Sequence, residues 1–153
     1  MPTVVSERAL IEEVGRFDEQ QLFGEFHDLC LRLAMKSQVL TLREALCSVR
    51  IHGEHYSADK IADRIGWIRL YEKMSALTPS AKLRSHCAKM CGQTYLNLAR
   101  LHLDEGDHKK GWKALRKGLA YSFGHPQLWW RAFKRTIDLA IPRAIRRDRQ
   151  RKD

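Results

Sequence analysis

The stretch GEFHDLCLRLAMKSQVLTLREALCSVRIHGEHYS, residues 24–57, groups acids, histidines and an arginine whose types and spacing could do chemistry. Glu25 and Asp28 are carboxylates three positions apart, and Arg50, His52 and His55 follow within one short polar segment. A carboxylate within hydrogen-bond reach of a hydroxyl can take its proton. A neutral imidazole can hold a cation, and a guanidinium pairs with phosphate. Each residue also has a plainer reading. Acids at a helix start are favoured by the backbone dipole, and a histidine beyond a strand is ordinarily a loop residue. His55 shares a face with His52 only where the turn is helical.

The elements that position these residues can be read from periodicity. Residues 25–36 carry Phe26, Leu29, Cys30 and Leu33 on one helical face. Gln38–Leu42 and Ala45–Ile51 are short and β-prone, joined by Arg43-Glu44. Upstream come an extended TVV, a short helix SERALIEEV with Ser6 as N-cap and Gly15 as stop, and a loop RFDEQQLFG. The first third is therefore mixed α/β, and too small to close a doubly wound sheet by itself.

After Gly53 the pattern becomes helical. Ser57 is expected to cap a helix reaching about Leu77, with Ile61, Ile65, Ile68 and Tyr71/Glu72 at helical spacing. Thr78-Pro79 starts the next, with Pro at its first position. This helix carries Leu83, Cys87, Met90, Cys91, Tyr95, Leu98 and Leu101 and ends at DEGDH. Another helix runs from about His108 to Tyr121, then Gly124-His125-Pro126 breaks the chain before a last one. The expected fold class is mainly α. It has a small α/β N-terminal remnant over 1–55 and a helical-hairpin module over 57–150.

The hairpin TYLNLARLHLDEGDHKKGWKALRKGLAYSFGHP resembles one tetratricopeptide repeat. Ala99, Gly111 and Gly118 fall where two helices must touch, and Gly106-Asp107 and Pro126 fit the turns. One such hairpin cannot cover its own apolar face, so the helices before it must supply the neighbour.

A formal net charge of +10 over 153 residues favours anionic partners. From Pro126 to Asp153 there are nine Lys/Arg against three Asp. In PQLWWRAFKRTIDLAIPRAIRRDRQRKD, Trp130, Phe133, Ile137, Ile141 and Ala144/Ile145 form an apolar stripe amid arginines, with Pro142 as a kink. Such a helix either packs on the hairpin or lies on an anionic membrane surface. Trp112, Trp129 and Trp130 read as packing residues, and no nucleic-acid motif accompanies them. No apolar run approaches the roughly 20 residues that span a bilayer. Without an evident secretory signal, a reducing cytoplasm with free thiols is the default for Cys30, Cys47, Cys87 and Cys91. Cys87 and Cys91, spaced i, i+4, read as small buried hydrophobes. With His86 they lack a second ligand pair for a metal site.

VGRFDEQQLFGEFHDLCLRLA resembles the family 2 glycosyltransferase segment that reads loosely V-G-G-F-D-E … G-E-D-(aromatic)-D-L-x-L-R-L-A. LREALCSVRIHGEHYS resembles that family's closing strand and R-x-H turn. The resemblance covers roughly residues 2–57 in three ordered blocks; the helical remainder is similar to the C-terminal extension of some members. It implies a GT-A fold whose nucleotide-binding half, with a D-x-D motif and a divalent Mg or Mn, lies elsewhere, since no D-x-D occurs in this sequence.

Carried over by position, Gly24, Glu25, Asp28, Leu29, Leu31, Arg32, Leu33 and Ala34 match, His27 takes the aromatic place, and Phe26 stands where the family's base Asp stands. The resemblance then implies Glu25 and Asp28 as catalytic carboxylates, His52 on the metal side, and Arg50 and His55 as substrate-binding residues. The implied partners are a nucleotide sugar and a glycan or lipid-linked acceptor. The expected protein is a C-terminal portion of such an enzyme, inactive alone and cytoplasmic, with peripheral attachment to the inner face of the membrane as one option beside a last helix packed on the hairpin. The alternative is a non-catalytic helical module that binds protein or an anionic surface.

Overall fold

The computed structural model describes residues 4–48, 59–124 and Trp130. Five helices of six or more residues occur among them: α1 (Arg8–Glu13), α2 (Glu25–Lys36), α3 (Lys60–Leu77), α4 (Ala81–Asp104) and α5 (His108–Ser122). The mainly helical class expected from the sequence is observed.

The two β-prone segments do not form strands among the described residues. Residues 38–48 carry no regular structure, and Val39, Leu40, Leu42 and Leu46 are exposed. A strand gains its stability from a ladder and a covered face, and two short segments alone provide neither. The end of the second segment, at Ile51, lies outside the described residues, as do the proposed Ser57 cap and nearly all of the last helix.

Local chemistry moved several helix starts by a few positions. Glu7, not Ser6, precedes α1, and it makes no side-chain cap. Asp59 caps α3, its carboxylate accepting from the backbone N–H of Ile61 and Ala62. Ser80 caps α4, so Pro79 lies just outside the helix rather than at its first position. Asp107 caps α5 by accepting from Lys110 N. In each of these three, a short side-chain oxygen replaces a missing helical acceptor. Gly15, Gly24 and Gly106 take positive φ at the turns that separate the helices.

α4 is the central element, packed on α3 along one side and α5 along the other. Ile68, Tyr95, Leu96, Leu98, Ala99, Ala114 and Leu115 form the main core. A second cluster joins Leu70, Met74 and Cys87, flanked by Trp67 and Tyr71. α3 therefore buries two faces, and the single stripe read from its sequence is incomplete: Ile65 is exposed, while Gly66, Leu70 and Met74 are buried.

The small residues of the hairpin do lie at its contact. Ala99 is buried, a Cβ on Gly111 would come within 2.5 Å of Leu103 Cγ, and one on Gly118 within 3.0 Å of Leu96. Gly111→Ala is expected to destabilise the fold by about 1–2 kcal/mol, because overpacking against buried Leu103 outweighs the gain in helix propensity. A urea midpoint equal to or above that of the unchanged protein would contradict this.

Polar contacts set the register of the three helices. Glu72 on α3 accepts from Tyr95 Oη of α4 at 3.2 Å and Tyr121 Oη of α5 at 3.0 Å. The two tyrosine rings stack at 5.8 Å. Burial, followed by the Glu72 carboxylate, raises both phenol pKa values. Cys87 and Cys91 are buried, as their spacing predicts, and free. Burial first, then the Glu72 charge, pushes the Cys91 thiol up to about 12.

Candidate functional site at the start of α2

α2 begins at Glu25, where Gly24 turns the chain in with φ 76°. Glu25 and Asp28 share the first turn but not an environment. Glu25 is exposed at the helix start, and Asp28 is 0% exposed. Phe26 is half-buried. His27 is exposed, its ring centroid 4.9 Å from that of Trp67, which donates from Nε1 to Asp63 and stacks on Tyr71 at 5.8 Å.

Two cations hold the buried carboxylate. Arg32, one turn on, donates to Asp28 Oδ2 from Nε at 2.9 Å and from Nη2 at 2.6 Å. The same guanidinium donates to the carbonyls of Val14 and Arg16, clamping the turn after α1. That turn places both Gly15 and Arg16 at positive φ, and Arg16 bears the steric cost of that conformation.

From α3, Lys73 Nζ lies 2.8 Å from Asp28 Oδ1, as an ion pair rather than a directed hydrogen bond. It donates to Asp18 Oδ2 at 2.7 Å. Burial works against the ammonium, but its contacts with the Asp18 and Asp28 carboxylates outweigh it and leave the Lys73 pKa raised. The Lys73 hydrogen bond, with that from Gln20 N, lowers the Asp18 pKa.

Further contacts fasten the loop before α2 onto α3. Gln21 Nε2 donates to Phe23 O at 2.6 Å and Gly66 O at 2.8 Å, and Arg69 donates to Gln20 O. Leu70 comes within 3.7 Å of where a Gly24 Cβ would lie. The G-E-x-x-D-L-x-L-R-L-A block is thus one helix locked to the following module through Asp28, Arg32, Lys73 and Asp18.

Arg50, His52 and His55 lie outside the described residues. Among those described, no three of His, Cys, Asp and Glu gather as cation ligands, so the Mg or Mn implied by the resemblance has no ligand set there. The Asp28–Arg32 contact is foreshadowed by its i, i+4 spacing. Lys73, Asp18 and Gln21 carry no such signal, since nothing in a linear sequence ties position 28 to position 73.

Known proteins supply no guide. No family model matches this chain, and neither a curated protein nor a solved structure matches it.

Proposed function

We propose that the chain is the acceptor-side portion of a family 2 glycosyltransferase, with its helical extension, working with a nucleotide-binding half that supplies the donor. The observation that supports this reading is the contrast within one helical turn: an open Glu25 beside a sealed Asp28. A general base must reach the attacking hydroxyl. Glu25 can do so; Asp28 is occupied as the counter-ion that orients the helix.

In the proposed reaction, the acceptor oxygen loses its proton to Glu25 and bonds to the anomeric carbon of the sugar. The bond from that carbon to the nucleotide diphosphate breaks. Asp28 is a positioning residue, and the chain alone does not turn over. No helix among the described residues is long and apolar enough to cross a membrane. On this reading the protein meets its acceptor by peripheral contact with an anionic membrane surface.

The DNA around the gene provides the direct test. A nucleotide-binding half bearing D-x-D is expected in frame upstream of the Met1 codon or in an adjacent gene. Combined with that half, the chain is expected to transfer sugar, and Glu25→Gln to lower kcat by about 10²–10⁴ with unchanged urea stability. The purified chain is expected to give no product with UDP-, GDP- or TDP-sugars. A locus without such a half refutes the family assignment, and transfer by the chain alone refutes its dependence on a second half.

A further inference from the structure

The outer face of α5 has no role in the reading above, yet it is the most strongly charged surface among the described helices. α5 carries Lys109, Lys110, Lys113, Arg116 and Lys117, and no acidic residue. Lys110 is paired with Asp107 at 2.9 Å, and Lys117 lies 5.3 Å above the Tyr95 ring. Lys109, Lys113 and Arg116 have no carboxylate partner among the described residues.

With Lys117, Trp112 and Ala120, these three line a recess of about 450 Å³. Their spacing places all six on one side of the helix, opposite the buried Gly111, Ala114, Leu115 and Gly118. Trp112 is 50% exposed in the midst of the cations. From Lys109 to Ala120 the row spans about 16 Å along the axis.

We propose that this face docks the protein on an anionic lipid bilayer, with Lys109, Lys113 and Arg116 facing headgroup phosphates and Trp112 seated at headgroup depth. The inference deepens the peripheral-contact part of the functional reading. It does not depend on catalysis.

Charge decides against residues 126–153 as the occupant: they carry nine Lys/Arg against three Asp, a sign that the α5 face would repel. Geometry decides against a nucleic-acid strand. Such a strand is tracked by a basic groove with successive aromatic platforms, whereas this row has a single exposed ring on the outer side of one helix. A bilayer asks only for cations in reach of one plane and an amphipathic ring at its interface.

The test is co-sedimentation of the full chain with vesicles of phosphatidylcholine, alone or with roughly one-third phosphatidylglycerol. The protein is expected to bind the mixed vesicles, to ignore the neutral ones, and to be released as salt rises. Neutralising three cations in K109Q/K113Q/R116Q is expected to weaken partition by about 100-fold, at roughly fivefold per charge. W112A is expected to weaken it by a factor that salt leaves unchanged. Circular dichroism verifies that both variants fold.

Unaltered binding by the triple variant would overturn the proposal, because the docking charge would then lie elsewhere in the chain. Equal binding to neutral vesicles would overturn it as well, as would displacement from mixed vesicles by single-stranded DNA at matched phosphate concentration. Glu25→Gln is expected to bind vesicles like the unchanged protein. Lost transfer with intact docking refutes only the transferase reading, and lost docking with intact transfer refutes only this surface.

Discussion

Asp28→Ala is expected to destabilise the protein by about 3 kcal/mol, the lower end of the range for breaking one partner out of a buried ion pair. The carboxylate is 0% exposed, and its removal strands Arg32, whose side chain is only 11% exposed. The loss is held to that lower end by the contacts that remain. Arg32 keeps the Val14 and Arg16 carbonyls, and Lys73 keeps Asp18. Asp28→Asn preserves shape but not charge and is expected to cost less. In the double variant Asp28→Ala/Lys73→Met the losses are expected to be less than additive, because the second change removes a cation already robbed of one partner. Urea unfolding measures all three. A change within 0.5 kcal/mol for Asp28→Ala, typical of a surface acid, would show that the cluster does not hold the helix.

The same cluster gives a pH dependence with a definite sign. The folded pKa of Asp18 lies below its ordinary 3.8, first because Lys73 donates to it. Its contribution is therefore complete above the unfolded pKa and is lost as pH falls through the lower folded value. Lys73 is raised above its ordinary 10.5, so its share is complete below that value and is lost as pH rises through the folded pKa. The part of stability due to Asp18 and Lys73 is expected to be flat through neutrality and to fall off at both extremes. Asp28→Ala should flatten the alkaline end, where Lys73 loses one of its two carboxylates, and leave the acid end in place, since Lys73 still donates to Asp18.

Gly66→Ala is the second change with a large expected effect, about 2–3 kcal/mol of destabilisation, against the usual direction for a glycine inside a helix. Propensity alone favours Ala by about 1 kcal/mol. Here the new Cβ would lie 2.5 Å from Phe23 Cβ and 2.8 Å from Phe23 O. Both belong to, or sit directly on, the backbone, so no rotamer change relieves the clash and the loop must lift. Lifting it breaks the Gln21 hydrogen bond to Gly66 O. A buried amide left unpaired costs about 1–3 kcal/mol.

The damage should be local. Residues 16–36 are expected to become sensitive to protease and to exchange amide hydrogens faster, while α3, α4 and α5 keep their shared core. A Gly66→Ala protein as stable as the original, with unchanged exchange over 16–36, would mean the loop does not press on α3.

Near neighbours along the chain settle a good part of this fold. The bounds of α2, the end of α3 at Leu77, the break at DEGDH and the burial of Cys87 and Cys91 all follow from helical spacing and local turn residues, interactions that span four or five positions. The tight hairpin contacts of Gly111 and Gly118 were legible for the same reason, small side chains recurring on one helix face. Caps moved by a residue or two because several Ser, Asp and Thr side chains compete to satisfy the first backbone N–H groups.

Which carboxylate of the α2 motif is open depends on contacts between segments far apart in the chain. Glu25 and Asp28 look equivalent in a string of letters, and Arg32 is visible beside Asp28 by its spacing. Lys73 reaches Asp28 only because α3 folds back against the loop at 18–24. The same long-range packing made α3 buried on two faces rather than one, and residues 38–48 find no strand partner among the described residues. It also turned the cations of α5 outward as a single row. Desolvation and charge pairing act through space, so their outcome at Asp28 and on α5 was set by which helices meet.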